Sequence, residues 1–505
     1  MNVVDYLMDN HAEASDIALL TAKGEHSYGE LRQTVDAVAD YLSRLGAQKG
    51  ERILLLSDNS LFWVASYLGT LRAGCVSVPL APSIGSEDLK FIIGSCAIRI
   101  GFIHGEVHRE HLRVVPPDFK IVLERAVTLP DKFRSECVTL YDTIGVTSRI
   151  SFPRIDEDSD VAAIMFTSGS TSKPRGVVVS HRNIIANTAS IVEYMELTAR
   201  DRIMVVLPFC YCFGTSLLHT HLRVGGSIVI DRRFMFPDKV LARMQETRCT
   251  GFAGVPSHYQ FLLRKSSFKR MQFPDLRYLQ QAGGKLANAL IRELHETLPA
   301  TKVFVMYGQT EATARLSYLP PALLDTKLGS IGKGIPGTYL RVVDENGAPI
   351  LPGQTGEIVA QGDNVTLGYW DAEAKDTVSF RNGCLYTGDL ATVDEDGFIF
   401  IVDRSKDILK CGGKRSPCRE VEDALLEFDD LVEAAVIGVP DDLLGEAVKA
   451  FVVPRQKEGS LVERLHAFCQ KRLPAHLIPK EIVVLDELPK GSGGKTLKPA
   501  LKVVS

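Results

Sequence analysis

Apolar positions in the first hundred residues follow two periods in turn. Leu31, Val35, Val38, Ala39 and Leu42 recur at helical spacing within 27–45, and a short continuous apolar run follows at 52–57. The rhythm continues as a buried helix over 62–72, a strand over 75–80, a helix over 87–95 and a strand over 99–103. Strands alternating with helices in this way predict a parallel sheet with helices on its faces. The pattern is weaker over 104–160, where one strand is clear at 120–124.

After apolar runs at 161–166 and 177–179 the alternation resumes. It predicts strands at 203–207, 227–230, 250–254, 276–280 and 302–305, with helices at 214–222, 238–247 and near 257–265 and 286–298. Ligands of such sheets bind outside the carboxyl ends of the strands. The segments 208–213, 255–257, 282–284 and 307–310 are therefore predicted to converge on one crevice.

From about 328 the texture changes to β-hairpins, punctuated by the turn signals Asp344-Glu345-Asn346-Gly347 and Asp394-Glu395-Asp396-Gly397. The last hundred residues read as a separate α/β unit. There Ser416 is placed as a helix cap and Pro417 in the first turn, with Val421, Ala424, Leu425 and Phe428 as the apolar face and strands at 434–439, 448–453 and 482–485. The expected fold class is α/β. A large amino-terminal domain of doubly wound α/β subdomains plus a β-rich subdomain (1–402) precedes a hinge (403–406) and a small mobile α/β domain (407–505).

Composition narrows the function classes. A chain of 505 residues exceeds one ordinary core, and 45% apolar against 24% charged residues is a globular balance. A net charge of −4 argues against a nucleic-acid binder working through a broad basic surface. The first ten residues carry Asp5 and Asp9 without a basic stretch, so they do not read as a secretory signal, and no apolar run approaches membrane-spanning length. Ten cysteines include no Cys-x-x-Cys pair, and Cys411 and Cys418 lack partners at zinc spacing. A cytoplasmic protein with reduced thiols is expected, with no nucleic-acid partner and no membrane span.

Candidate chemistry begins at Thr167. From there to Val177 five hydroxyl side chains, two glycines and two cations stand between two apolar runs, without a carboxylate. Such a loop offers the donors that a polyphosphate needs, and it is not a Walker A loop. Four more stretches stand out: Tyr307-Gly308-Gln309-Thr310-Glu311 at a strand end, Thr387-Gly388-Asp389, Asp403-Arg404-Ser405-Lys406, and Lys490 to Lys495 near the carboxyl terminus. Singly, each has an ordinary reading as core packing, a tight turn, a charged linker or a flexible tail.

Together and in this order, these motifs resemble those of the adenylate-forming (AMP-binding) superfamily: acyl- and aryl-CoA synthetases, beetle luciferases and nonribosomal peptide synthetase adenylation domains. The resemblance covers essentially the whole chain. It implies a ligase that uses ATP and Mg²⁺ to turn a small carboxylic acid into acyl-AMP with release of pyrophosphate. The acyl group then passes to a pantetheine thiol, on CoA or on a phosphopantetheinyl carrier protein, with release of AMP.

The resemblance also implies roles for particular residues. Thr167, Ser168, Gly169, Ser170, Thr171 and Arg175 would hold the β- and γ-phosphates. Tyr307 would stack on adenine, in one motif with Gly308 and Gln309, while the backbone near Gly283 and Gly284 reads the base edge. Thr310 would bind the α-phosphate and Glu311 the Mg²⁺, with Asp389 and Arg404 on the ribose hydroxyls. Lys406 falls at the family's hinge. Lys495 would be the catalytic lysine that bridges the carboxylate and the α-phosphate, where negative charge accumulates. The face from Lys410 to Arg415 would line the thiol channel once the small domain swings.

Departures from the family pattern concern specificity. Ser172 stands where glycine is usual and Arg175 where lysine is usual, so a cation is retained there, with bidentate geometry. Tyr211 stands where many acyl-CoA synthetases carry histidine. No aspartate lies between 208 and 230 to pair with an α-ammonium, which disfavours an amino-acid substrate. Tyr211, Phe213, Gln281 and Ala282 are the acid-pocket candidates. The alternative reading is a stand-alone amino-acid adenylating enzyme that loads a peptidyl carrier protein.

Overall fold

A computed structural model describes residues 1–10, 12–104, 109–127, 132–145, 152–167, 173–370, 379–404, 408–411, 414–441, 444–456, 459–491 and 496–502. Two sheets with parallel centres carry most of the chain before 334. The first runs in space Val138–Leu140, Lys120–Leu123, Ile100–Ile103, Arg52–Leu56, Val76–Leu80, Val161–Thr167, Arg175–Ser180. Its neighbours are parallel until the final hairpin, where Phe166 faces Gly176 and Thr167 faces Arg175. Val76–Leu80 is buried at every position, as a parallel strand covered on both faces requires.

The second sheet runs Lys333–Gly334, Ser317–Leu319, Lys302–Tyr307, Tyr278–Gln281, Gly251–Gly254, Arg202–Val205, Ser227–Ile230, Ile17–Thr21, Gly24–Ser27. From Lys302–Tyr307 to Ile17–Thr21 all pairings are parallel, and the strands outside them are antiparallel. Helices His181–Met195 and Cys212–Val224 lie between the two sheets. One core joins Ile53, Trp63 and Ala163 of the first half to Leu217, Ile203 and Phe304 of the second. Ser180 caps the former helix, accepting from the Asn183 amide while Asn183 Oδ1 accepts from the Ser180 amide.

The alternation expected from the sequence is present almost throughout, with boundaries displaced by one or two residues. The helix Val3–Met8 and the hairpin Ile17–Thr21/Gly24–Ser27 lie outside that expectation, because their apolar faces are only three residues each. Both are held by long-range burial: Val3, Val4, Leu7 and Leu19 join the central core. One expectation is corrected. Ser416 is not a helix cap; it belongs to the strand Lys414–Pro417, its hydroxyl meets His476 Nε2 at 3.3 Å, and the helix Cys418–Leu426 starts without a side-chain cap.

Residues 338–404 build an antiparallel sheet around Thr355–Gly362 and Cys384–Val393. Both turn signals act as read, with Gly347 and Gly397 donating to the carbonyls of Asp344 and Asp394. Beyond it a last sheet centres on Leu431–Asp441 and Gly445–Pro454, with Val421 and Leu425 buried against it. This unit touches the second sheet's helices: Lys285 Nζ lies 2.7 Å from Asp423 Oδ2, and Lys490 lies over the Phe261 ring at 5.2 Å. Among the described residues no helix is long and apolar enough to cross a membrane.

Candidate active site

Neighbouring parallel strands bring the predicted crevice segments to one end of the second sheet. Beyond Gly251–Gly254, Tyr278–Gln281 and Lys302–Tyr307 the chain turns at Val255, Ala282 and Gly308, and the first two of these turns touch. A side chain on Gly283 would meet Val255 Cγ1 at 2.8 Å, and one on Gly284 would meet Pro256. Gly308 is tighter still. A Cβ there would stand 1.9 Å from the Ala314 carbonyl oxygen, so only glycine lets the segment after Tyr307 fold back on itself.

Two motifs distant in sequence meet at Tyr307, and a third is the strand neighbour of the second. Its phenol donates to Asp389 Oδ2 at 2.6 Å, both groups being buried. Asp389 follows Gly388, whose φ of 73° places the turn in the left-handed region. The turn is braced: the Gly388 amide donates to Glu357 Oε1 at 2.9 Å and the Thr387 hydroxyl to the Ile358 carbonyl at 2.9 Å. In the antiparallel register Asp389 stands opposite Arg404. The two residues expected to share one pair of hydroxyls are thus cross-strand partners.

Thr310 begins a single 3-10 turn, Thr310–Ala312, and its Oγ1 lies 3.4 Å from Cys212 Sγ. Burial pushes the Cys212 thiol up, so it stays protonated. Glu311 keeps one carboxylate oxygen on the Tyr369 hydroxyl, 2.9 Å away, and its backbone carbonyl accepts from the amide and hydroxyl of Thr366. Tyr369 is fixed because its segment lies along Arg175–Ser180: Leu367 and Trp370 donate to Val178 and Gly176, and Val178 donates to Gly368. The Arg175 guanidinium lies over the Tyr369 ring at 5.6 Å. Burial, and then the Glu311 charge, push the Tyr369 phenol up, which keeps it a donor. Gln309 Nε2 is buried without a hydrogen-bond partner among the described residues.

Of the expected site residues, Thr167, Arg175, Gly283, Gly284, Tyr307, Gly308, Gln309, Thr310, Glu311, Asp389 and Arg404 are described, and a hydrogen bond joins Tyr307 to Asp389. Ser168, Gly169, Ser170, Thr171, Lys406 and Lys495 lie outside the described residues. Of the acid-pocket candidates, Gln281 and Ala282 are buried at the crevice and Gln281 Nε2 donates to the Gly284 carbonyl. Tyr211 precedes the helix Cys212–Val224, and its carbonyl accepts from Thr215. The ring of Phe213 is covered by the Arg315 guanidinium at 4.1 Å. A small cavity of about 20 Å³ lies between Tyr67, Met165, Asn187, Cys212 and His219, and none of the four candidates lines it.

Sequence reasoning missed Tyr369, Cys212, Gln280 and Arg315. No motif marks them, since each acquires its role from a partner in another element.

Among the described residues no group of three or more His, Cys, Asp or Glu could hold a metal. A single carboxylate is nonetheless what Mg²⁺ takes when phosphate oxygens and water complete its shell. Glu311 therefore fits an ion that arrives with a nucleotide.

The family profile described as AMP-binding enzyme matches residues 9–370, and that described as AMP-binding enzyme C-terminal domain matches 420–495. Feruloyl-CoA synthase of Amycolatopsis sp is 31% identical over 487 residues, which cover 94% of this chain and 92% of that protein. The o-succinylbenzoate CoA synthetase of Bacillus subtilis in complex with its acyl-adenylate intermediate matches at a TM-score of 0.85 and 25% identity, over 99% of this chain and 98% of that one. The same enzyme in complex with ATP and magnesium ion matches at 0.83 and 25%, over 99% of each. The chain belongs to the AMP-binding enzyme family, and so to the adenylate-forming superfamily that its motifs resemble.

Proposed function

We propose that the protein is an AMP-forming acid–thiol ligase that activates a carboxylic acid as acyl-AMP, with release of pyrophosphate, and transfers the acyl group to CoA. The observation that carries this reading is the hydrogen bond from Tyr307, at the carboxyl end of a parallel strand and at the head of the segment that carries Thr310 and Glu311, to Asp389 of a separate segment. CoA is favoured as acceptor because the feruloyl and o-succinylbenzoate relatives are CoA enzymes by name.

In this reading the adenosine lies against Tyr307. Asp389 has one carboxylate oxygen occupied by that phenol and accepts from the ribose hydroxyls with the other, beside Arg404. Thr310 donates to the α-phosphate. Glu311 would hold Mg²⁺, and that ion would supply positive charge against the pyrophosphate leaving group. Arg175, steered by the Tyr369 ring, reaches the same phosphates together with Thr167, Ser168, Gly169, Ser170 and Thr171.

Residues 1–402 form the adenylating domain in this proposal, 403–406 the hinge about Lys406, and 407–505 the small domain that delivers Lys495. The position of Lys490 over Phe261 supports that delivery, because it sets the chain five residues earlier beside the helix that follows Val255. A cytoplasmic location is supported by the ten cysteines, all of them free thiols.

The test is acid-dependent exchange of labelled pyrophosphate into ATP over fatty, aryl, hydroxy and amino acids. It is repeated with Lys495→Ala and followed by AMP release with CoA against a holo carrier protein. Exchange is expected with a non-amino acid, lost in Lys495→Ala, and AMP release is expected with CoA. No exchange with any acid refutes the proposal.

A further inference from the structure

Arg315 is among the largest fully buried side chains of the molecule, with 1% of its surface exposed. A buried guanidinium ordinarily faces a carboxylate, because an uncompensated charge in the interior is costly. Here the described residues supply none. Its Nε donates to the Met306 thioether and one terminal nitrogen to Gln280 Oε1, both at 3.3 Å. Both acceptors are neutral, and the amide contact exceeds the usual N–H···O range.

The groups packed around it come from four elements and are equally uncharged. The Phe213 ring lies under the guanidinium, with Cys212 beside it. Tyr194 donates its hydroxyl to Met306 Sδ at 3.2 Å and also hydrogen-bonds the guanidinium, and Gln280 and Met306 are the penultimate residues of their strands. Burial pulls the Arg315 pKa down, which is the mark of a cation held without its counter-ion.

A second observation points the same way. Gln280 is also buried, its oxygen is committed to Arg315, and its Nε2 has no partner among the described residues. The cluster therefore offers guanidinium and amide donors, and its acceptors among the described residues are all neutral. It is also rigidly mounted: the Arg315 carbonyl accepts from Asn187 Nδ2 at 3.0 Å and from Asn364 Nδ2 at 2.9 Å. It borders the expected acid pocket through Phe213, one of the pocket candidates, whose ring lies 4.1 Å from the guanidinium, and through Cys212, whose sulfur meets Thr310.

We propose that Arg315, with Gln280, binds a second carboxylate on the acid, so that the substrate class is a dicarboxylic acid activated at its other end. This rests on the ligase reading above. The anion replaces two weak neutral acceptors by a bidentate, charge-assisted pair and takes up the idle Gln280 amide. Arg315 is a specificity residue in this arrangement, remote from the phosphorus.

The test uses matched acids that differ only in a terminal carboxylate or methyl group, across a chain-length series, in pyrophosphate exchange with the full chain. At its best length the wild type is expected to prefer the diacid by roughly a hundredfold or more in kcat/KM. Arg315→Met is expected to abolish that preference by lowering diacid exchange while monoacid exchange persists, and Arg315→Lys to restore part of it.

Equal use of both series by the wild type overturns the inference and leaves the ligase reading standing, as does an unchanged ratio in Arg315→Met or an equal loss on every acid. Exchange with no acid at all refutes the ligase reading itself. If Arg315→Met does not fold, the wild-type ratio decides, and a value below about tenfold overturns the inference.

Discussion

Replacing Tyr369 by phenylalanine removes its hydrogen bond to Glu311 at the proposed metal position, together with the hydroxyl's contact to Ser379. The phenol donates to Glu311 Oε1 at 2.9 Å, and the pair is partly buried. A hydrogen bond to an ionised acceptor contributes about 1.5–3 kcal/mol, and partial exposure puts this one at the low end. Its role is to hold the carboxylate toward the phosphates, so its loss falls on the ion. Partners that orient a metal ligand typically change affinity 10–100-fold.

The free Mg²⁺ needed for half-maximal pyrophosphate exchange is thus expected to rise about tenfold in Tyr369→Phe. Maximal exchange at saturating Mg²⁺ should recover most of the wild-type value. The ring also carries Arg175 at 5.6 Å, and phenylalanine keeps that contact. Tyr369→Ala removes both, and the KM for ATP should rise a further two- to fivefold, the equivalent of a cation–π contact of about 0.5–1 kcal/mol. The assay is exchange against free Mg²⁺ at fixed ATP and then against ATP at saturating Mg²⁺. An unchanged Mg²⁺ midpoint in Tyr369→Phe refutes the orienting role.

The remaining expectations use other parts of the site and core. Tyr307→Phe keeps a ring for the base and frees the buried Asp389 carboxylate of its 2.6 Å donor, so the KM for ATP should rise roughly tenfold or more; an unchanged KM rejects the pairing as functional. Gly308→Ala places a methyl group 1.9 Å from the Ala314 oxygen; overpacking against backbone should cost up to about 3 kcal/mol, read as a lower urea midpoint. Burial holds His219 neutral down to about pH 3, and His181 to about 4. Because an unfolded histidine titrates near 6.5, the unfolded chain binds more protons below that pH. Stability is therefore full above about 6.5 and falls as the pH drops toward the folded values, by about 1.4 kcal/mol per pH unit for each histidine. The fall in urea midpoint between pH 6.5 and 5 should be shallower in His219→Gln than in the wild type, and identical slopes would contradict the assignment.

Regular elements were legible wherever a buried face repeats over two or more turns or a strand is covered on both sides. Val76–Leu80 and Leu61–Arg72 are examples. Legibility failed where an element is short and its burial comes from a remote partner. Val3–Met8 has too few residues for a periodic signal, yet His181 Nδ1 accepts from its Val3 amide and Leu7 reaches the central core. Ser416-Pro417 failed in the opposite sense. Local capping chemistry favoured a helix start, while pairing of Leu409 with Ser416 and of Ile408 with Pro417 extended a strand through both residues.

The same division separates the two halves of the site chemistry. The residues expected to face the nucleotide are grouped within short motifs because a backbone turn must present several of them together. Gly308 shows this in its 1.9 Å approach to Ala314, and Gly388 in its positive φ. Such steric demands leave a mark in the sequence. The residues proposed to face the acid carry no such mark. Arg315 stands four positions after Glu311 and would pass for a surface cation, until the fold puts Phe213 under it, Gln280 and Met306 beside it and, among the described residues, no carboxylate against it. What makes it informative is an imbalance of donors over acceptors inside a closed space, a property of four elements at once. Within this family scaffold the reaction is therefore readable from motifs, whereas the choice of acid is readable only from the buried polar groups left over once the fold has paired the rest.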